Sequence, residues 1–303
     1  MKKNLFWSVC KWALLITVIL FISARIYYAL TDDFRLSNIT QEMPYEAAWN
    51  IPSPASEDEK QIATILDQPF FYLGKGAQSY AFASEDGKYV IKFFKFKHLR
   101  PFWFVDMLPS ISFMKTYKEK QTERKKRKLF GVFLSYKLAY DTDKDESGLI
   151  FIQLNTKENI ERSVTVVDKI GIKRTIDLST VPFILQNKGE TLKTVLSGLL
   201  KKGDIATAKE RIDQIIDLYI SEYHKGIYDH DHGVMQNTGF VGSKPIHLDV
   251  GKLMREEQMR DPSFAKQDLS LVASKINEWV AKHYPQYAKE IAESIDAKIT
   301  QVS

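Results

Sequence analysis

Cysteine is nearly absent from this sequence: the one copy in 303 residues, Cys10, sits in an apolar N-terminal stretch. The body of the chain therefore has neither a disulfide framework nor a thiolate metal site. Internal repeats are missing as well. Strong charge of one sign is also lacking, because 43 basic residues face 38 acidic ones for a net charge of +5. That excess is too small to imply a nucleic-acid partner by itself. What is present is a chain with 44% hydrophobic and 27% charged residues, the balance of a globular protein rather than a disordered one. Its 303 residues can hold an anchor and one two-lobed domain.

Long apolar runs are confined to the start. Lys2 and Lys3 precede a stretch from Leu5 to Leu30, with Lys11 near one end and Trp7, Trp12, Tyr27 and Tyr28 at interfacial positions. This composition suits a single membrane-spanning helix, with membrane lipid as its partner. The alternative is a cleaved signal peptide, but the site Ile22-Ser23-Ala24 lacks a small residue at its first position, so an uncleaved anchor over residues 1–30 is preferred. The positive-inside rule puts the N-terminus in the cytoplasm and the large domain outside it. Residues 31–66 are polar, contain Pro44, Pro52 and Pro54, and read as a linker. Asn38-Ile39-Thr40 has the form of a glycosylation sequon, a pattern common by chance.

Three blocks beyond residue 66 bear on chemistry. The first is Gly74-Lys75-Gly76-Ala77-Gln78-Ser79, read as a turn between two strands where glycine lets backbone N–H groups approach phosphates. The second is Val90-Ile91-Lys92, a strand that delivers an ammonium. The third runs from Gly226 to Lys252, where Asp231 is followed six residues later by Asn237 and then by Asp249-Val250-Gly251. Each alone is weak. In this order they resemble the protein-kinase-like superfamily, with its glycine loop, its strand lysine, its catalytic loop and its D-x-G metal loop. The resemblance covers about Phe70 to Ile276. It implies ATP and Mg²⁺ as cofactors, with Gly74, Gly76, Ser79 and Lys92 binding ATP, Asp231 as the catalytic carboxylate, and Asn237 and Asp249 as metal ligands. The sequence departs from the pattern in three places: Ser79 stands for the third glycine, Asp229-His230-Asp231 for H-R-D, and the Asn lies six rather than five residues after the Asp.

The segments between these blocks fit the same outline. Residues 93–113 are aromatic and basic, and read either as a strand end and loop packed under the small lobe or as a membrane-surface contact through Lys95, Lys97 and Arg100. Residues 112–130 suit a basic helix, which by the resemblance supplies a Glu to pair with Lys92 within the ATP site. Glu119 and Glu123, four apart on one face, are both candidates, or they only balance neighbouring lysines. Strands are expected in SYKLAYDT, GLIFIQLN, SVTVVD and IKRTIDL, one more than a minimal small lobe needs, so an inserted hairpin is expected. Residues 181–192 resemble the inter-lobe hinge, and residues 204–225 a long helix leading into the catalytic loop. Roughly fifty residues follow Gly251, without an A-P-E segment. That is nearer to lipopolysaccharide-core sugar kinases and aminoglycoside phosphotransferases than to protein kinases. The expected fold class is α+β: a two-lobed kinase-like domain over residues 67–303, with an antiparallel small lobe (67–187) and a short helical large lobe (188–303), behind the membrane helix.

Function follows as phosphotransfer from Mg-ATP to a hydroxyl of a small molecule, glycolipid or protein. An ATP user belongs in the cytoplasm, in conflict with the charge bias around the anchor. Two other readings remain open. The departures from the pattern could mark a catalytically inactive pseudokinase scaffold. The cluster of His224, His230, His232 and His247 with Asp229, Asp231 and Asp249 could mark a metal-dependent hydrolase, although H-E-x-x-H spacing is absent.

Overall fold

The computed structural model describes residues 2–97, 112–156 and 161–301. It is an α+β structure in which a curled, seven-stranded mixed sheet is followed by a mainly helical part. Helix α1 (Lys2–Thr31) opens the chain, and Trp7–Thr31 within it is long and apolar enough to cross a membrane. A four-residue helical segment, a 3-10 turn and α2 (Ser56–Leu66) cover residues 36–66. These residues do not form the expected linker. Phe34, Ile39, Trp49, Ile51, Ile62, Ile65 and Leu66 are all buried against the sheet's core. Apolar side chains spaced through a polar background hold the segment down where composition alone signalled a tether.

Strands β1 (Phe70–Lys75), β2 (Ser79–Ser84) and β3 (Tyr89–Phe94) form an antiparallel meander. Their β-branched and aromatic residues suit a pleated, half-buried surface. Next comes α3, which runs unbroken from Ser112 to Thr142. The strand expected at residues 135–142 is the last turns of this helix. Leu129, Phe133, Tyr136 and Ala139 are buried on one stripe, at a spacing of three or four rather than two. Strands β4 (Leu149–Gln153), β5 (Ser163–Val167), β6 (Lys173–Asp177) and β7 (Phe183–Asn187) complete the sheet in the order β4-β7-β3-β2-β1-β5-β6. Strands β5 and β6 form a hairpin at one edge of the sheet. It joins the edge of β1 by the sheet's parallel pairing, Phe70 opposite Val166.

The helical part begins with β8 (Glu190–Thr191) and α4 (Leu192–Lys201), capped by the Thr191 hydroxyl on Thr194 N–H. Helix α5 (Ile205–His224) is capped by Asp204 on Thr207 N–H, and buries Ile212, Ile215, Ile216, Leu218, Tyr219 and Tyr223. Strands β9 (Ile227–Asp229), β10 (Thr238–Val241), β11 (Lys244–His247) and β12 (Leu253–Arg255) frame the loops, and α6 (Pro262–His283) and α7 (Ala288–Thr300) close the element order. Strand β10 pairs with both β11 and β8. A Cβ at Gly239 would lie 2.0 Å from the Glu190 carbonyl oxygen, so only glycine permits that approach. The buried side chains of α4, α5, α6 and α7 form a second apolar cluster, distinct from that of the sheet.

Candidate active site

Lys92 lies mid-strand in β3, opposite Ala81 of β2 and Ile184 of β7. Its ammonium donates to the Leu248 carbonyl at 2.7 Å, joining the sheet to the segment that carries Asp249. Gln186 of β7 donates to the same carbonyl at 3.2 Å. Burial pulls the Lys92 pKa below its ordinary value, and the nearby Asp249 carboxylate works against that pull. The turn between β1 and β2 is closed by Gly76 N–H donating to Ser79 O at 2.9 Å. Space is open at Gly74, where an added Cβ would meet nothing within 4 Å.

Helix α5 runs into β9 and then the loop bearing Asp231. Asp229 is buried and accepts the Asp231 N–H at 3.0 Å, which fixes the loop's start. The loop bends back at His232, a non-glycine residue at φ 49, whose Nε2 lies 2.6 Å from Asp268 Oδ1 on α6. Tyr223 of α5 donates to the other oxygen of Asp268 at 2.5 Å. Asp231 itself is exposed, with Lys252 Nζ 2.8 Å from one oxygen and Asn237 Nδ2 donating to the other at 3.3 Å. The Asn237 carbonyl accepts both Leu248 N–H, at 2.6 Å, and Asp249 N–H, at 3.1 Å. Asn237 and Asp249, apart in sequence, are thus tied together through backbone. The Asp249 carboxylate is exposed and accepts Gly251 N–H at 3.1 Å and Tyr136 O–H at 3.4 Å.

Beneath this loop lies a wholly buried group that sequence reading assigned no structural role. His247 Nδ1 is 2.8 Å from Glu222 Oε1, and its Nε2 is 3.5 Å from Asp229 Oδ2. Burial would lower the imidazole's pKa, but Glu222 and Asp229 outweigh it and hold His247 well above its ordinary value. Of the His/Asp cluster, His232 pairs with Asp268, His247 sits between Glu222 and Asp229, and Asp231 pairs with Lys252. Among the described residues, no group of three or more His, Cys, Asp or Glu side chains is placed to hold a metal, the arrangement a metal-dependent hydrolase of this kind needs.

The expected pairing of Lys92 with a glutamate of α3 is not made by Glu123, which is exposed and lies 3.6 Å from Lys126 one turn along. The basic stretch keeps Glu123 on the solvated face of the helix, and Glu119 and Arg100 lie outside the residues whose side chains are described. Helix α3 instead sends Tyr136 to the site: Lys92 Nζ is 6.0 Å from its ring centre. Tyr136, Gln186 and Lys252 were missed by sequence reasoning. Only Lys252 carried a signal, as a cation directly after the D-x-G. Gly76, Ser79, Tyr136, Asp231, Asp249 and Lys252 line one cleft of about 860 Å³, whose rim is made basic by α3 and β12.

No family model matches this chain, and no curated protein matches it by sequence. Solved structures of WbdD are similar to it. One, described as a bifunctional kinase-methyltransferase, is 12% identical with a TM-score of 0.38, over 77% of this chain and 47% of that one. Another, a co-crystal of WbdD with a kinase inhibitor, is 12% identical with a TM-score of 0.37, over 76% of this chain and 45% of that one. The chain thus matches less than half the length of these neighbours.

Proposed function

We propose that this chain is a membrane-anchored phosphotransferase that uses Mg-ATP to phosphorylate a hydroxyl group. The observation that carries the reading is the junction of the buried Lys92 with Leu248, 156 residues away in sequence, directly before Asp249, which lines the same cleft as Asp231. A strand lysine and an open glycine turn suit phosphates, and a loop carboxylate near the lysine suits a metal ion that would bridge to them.

The donor set fits Mg²⁺. The Asp249 carboxylate and the Asn237 amide oxygen are hard oxygen ligands, and Mg²⁺ is commonly held by one or two protein carboxylates together with phosphates. Once bound, the ion would offset the charge of the phosphate oxygens. Lys92 would bind the inner phosphates, kept in place by the Leu248 carbonyl. Asp231, fixed by Asp229 and Asn237, would accept the hydrogen bond of the attacking hydroxyl and take its proton. Lys252, 2.8 Å from Asp231, would add positive charge where the phosphoryl group arrives. This reading puts the domain on the cytoplasmic side of the membrane, against the bias set by Lys2, Lys3 and Lys11.

The test is phosphate transfer from γ-labelled ATP by the full chain in micelles, with water or a membrane-lipid extract as acceptor. Asp231→Asn should lower transfer by about 10²-fold or more while leaving nucleotide binding intact. Nucleotide binding with no Mg²⁺-dependent transfer in the wild type would instead identify a pseudokinase scaffold.

A further inference from the structure

The flank of the sheet beside the glycine turn carries cations that phosphotransfer does not use. Asp32 and Asp33 directly follow α1, at φ 52 and 64. The Asp33 carbonyl accepts the buried Tyr80 O–H at 2.9 Å and Asn38 Nδ2 at 2.7 Å. The Asp32 carboxylate takes Tyr72 O–H at 3.1 Å, Lys75 at 3.1 Å and Lys169 at 3.0 Å, and Lys97 pairs with Asp33. The end of α1 is thereby bolted to β1, β2 and the β5–β6 hairpin. The glycine turn is part of the junction, since Lys75 precedes Gly76 and Lys95 donates to the Gly76 carbonyl.

The height of these cations follows from the helix. Lys97 Nζ lies 4.6 Å from the Tyr28 ring centre, and Arg174 donates to the Tyr27 hydroxyl at 3.4 Å. At the helical rise, Tyr27 and Thr31 are only about 6 Å apart along the axis. If α1 spans a bilayer, side chains that touch Tyr27 and Tyr28 lie level with the last turn of the span, in the headgroup layer. There Lys75, Lys97 and Lys169 keep 41%, 41% and 46% of their side-chain surface exposed. Together with Lys95 and Arg174 they outnumber Asp32, Asp33 and Asp168, so the flank keeps a positive excess.

We infer that this flank docks on anionic lipid headgroups, and that docking quiets the glycine turn through Lys75 and Lys95. Headgroup phosphates would complete the hydrogen bonding of ammonium groups that Asp32 and Asp33 satisfy only in part. The inference rests on α1 spanning the membrane and is independent of phosphotransfer.

Hydrogen–deuterium exchange without nucleotide tests it, on the full chain in nanodiscs of neutral phosphatidylcholine or with a third of the lipid replaced by phosphatidylglycerol. Amides of residues 74–79 and 94–97 should exchange about fivefold more slowly in the anionic discs. High salt should erase the difference in the wild type. The triple variant Lys75→Gln, Lys97→Gln, Lys169→Gln should lose it, and the corresponding Arg variant should retain it. Equal rates in both discs, or the same slowing from soluble inorganic phosphate on neutral discs, would overturn the inference. So would failure of the chain to enter the discs.

Discussion

His247 illustrates how a single side chain can support a site it never touches. It sits two residues before Asp249 and bridges Glu222 of α5 to Asp229, the carboxylate that holds Asp231 N–H. Removing it leaves two carboxylates buried without their shared counter-charge, and breaking such a buried pair costs about 3–5 kcal/mol. His247→Ala should therefore lower the unfolding free energy by about that amount, measured by denaturant titration at neutral pH. A loss within the ordinary range of a surface substitution would show that the two carboxylates do not depend on the His247 charge. Asp231, Asn237 and Asp249 could be singled out as candidates from their order in the sequence, because loop residues in such a pattern serve chemistry more often than packing. Tyr136 could not, and His247 stood out only as one of a possible metal-ligand cluster, not as a buried bridge between carboxylates. Their roles depend on burial and on which helix face meets the cleft, and a residue string carries neither.

Secondary-structure elements were legible where their periodicity was unmixed. The glycine turn, the lysine strand, the long helix before the loop that bears Asp231 and the β5–β6 hairpin all follow from local pattern. Two segments did not. The end of α3 reads as alternating polar and apolar residues over 135–142, yet its buried stripe continues the helical spacing that starts at Leu129. Residues 31–66 read as a tether because of their prolines and charges, although their scattered apolar side chains are buried. Burying such side chains contributes ~1.5–3 kcal/mol each, which for this set is comparable with the ~5–15 kcal/mol net stability of a whole domain. A chain beginning at residue 32 should accordingly melt cooperatively by near-ultraviolet circular dichroism. One beginning at residue 67, at the boundary the composition indicates, should show no cooperative transition. Equal melting of the two would mean that residues 34–66 contribute little.

Across the molecule, a cleft among the described residues draws its lining from the sheet, from α3 and from the loops after α5. Gly76 and Ser79 line it from the turn between β1 and β2, Tyr136 from α3, and Asp231 and Asp249 from the loops that follow α5, while Lys92 donates from β3 to the carbonyl just before Asp249. If that convergence is a nucleotide site, ligand binding must stabilise the folded state by an amount that grows with ligand concentration over Kd. The decisive measurement is the melting temperature of the full chain in micelles during a Mg-ATP titration, beside Lys92→Ala, Asp249→Ala and Asp231→Asn. The phosphotransferase reading predicts a rise in the wild type and in Asp231→Asn that is lost in Lys92→Ala and Asp249→Ala. No rise in the wild type at millimolar Mg-ATP, or the same rise in all four proteins, would contradict it.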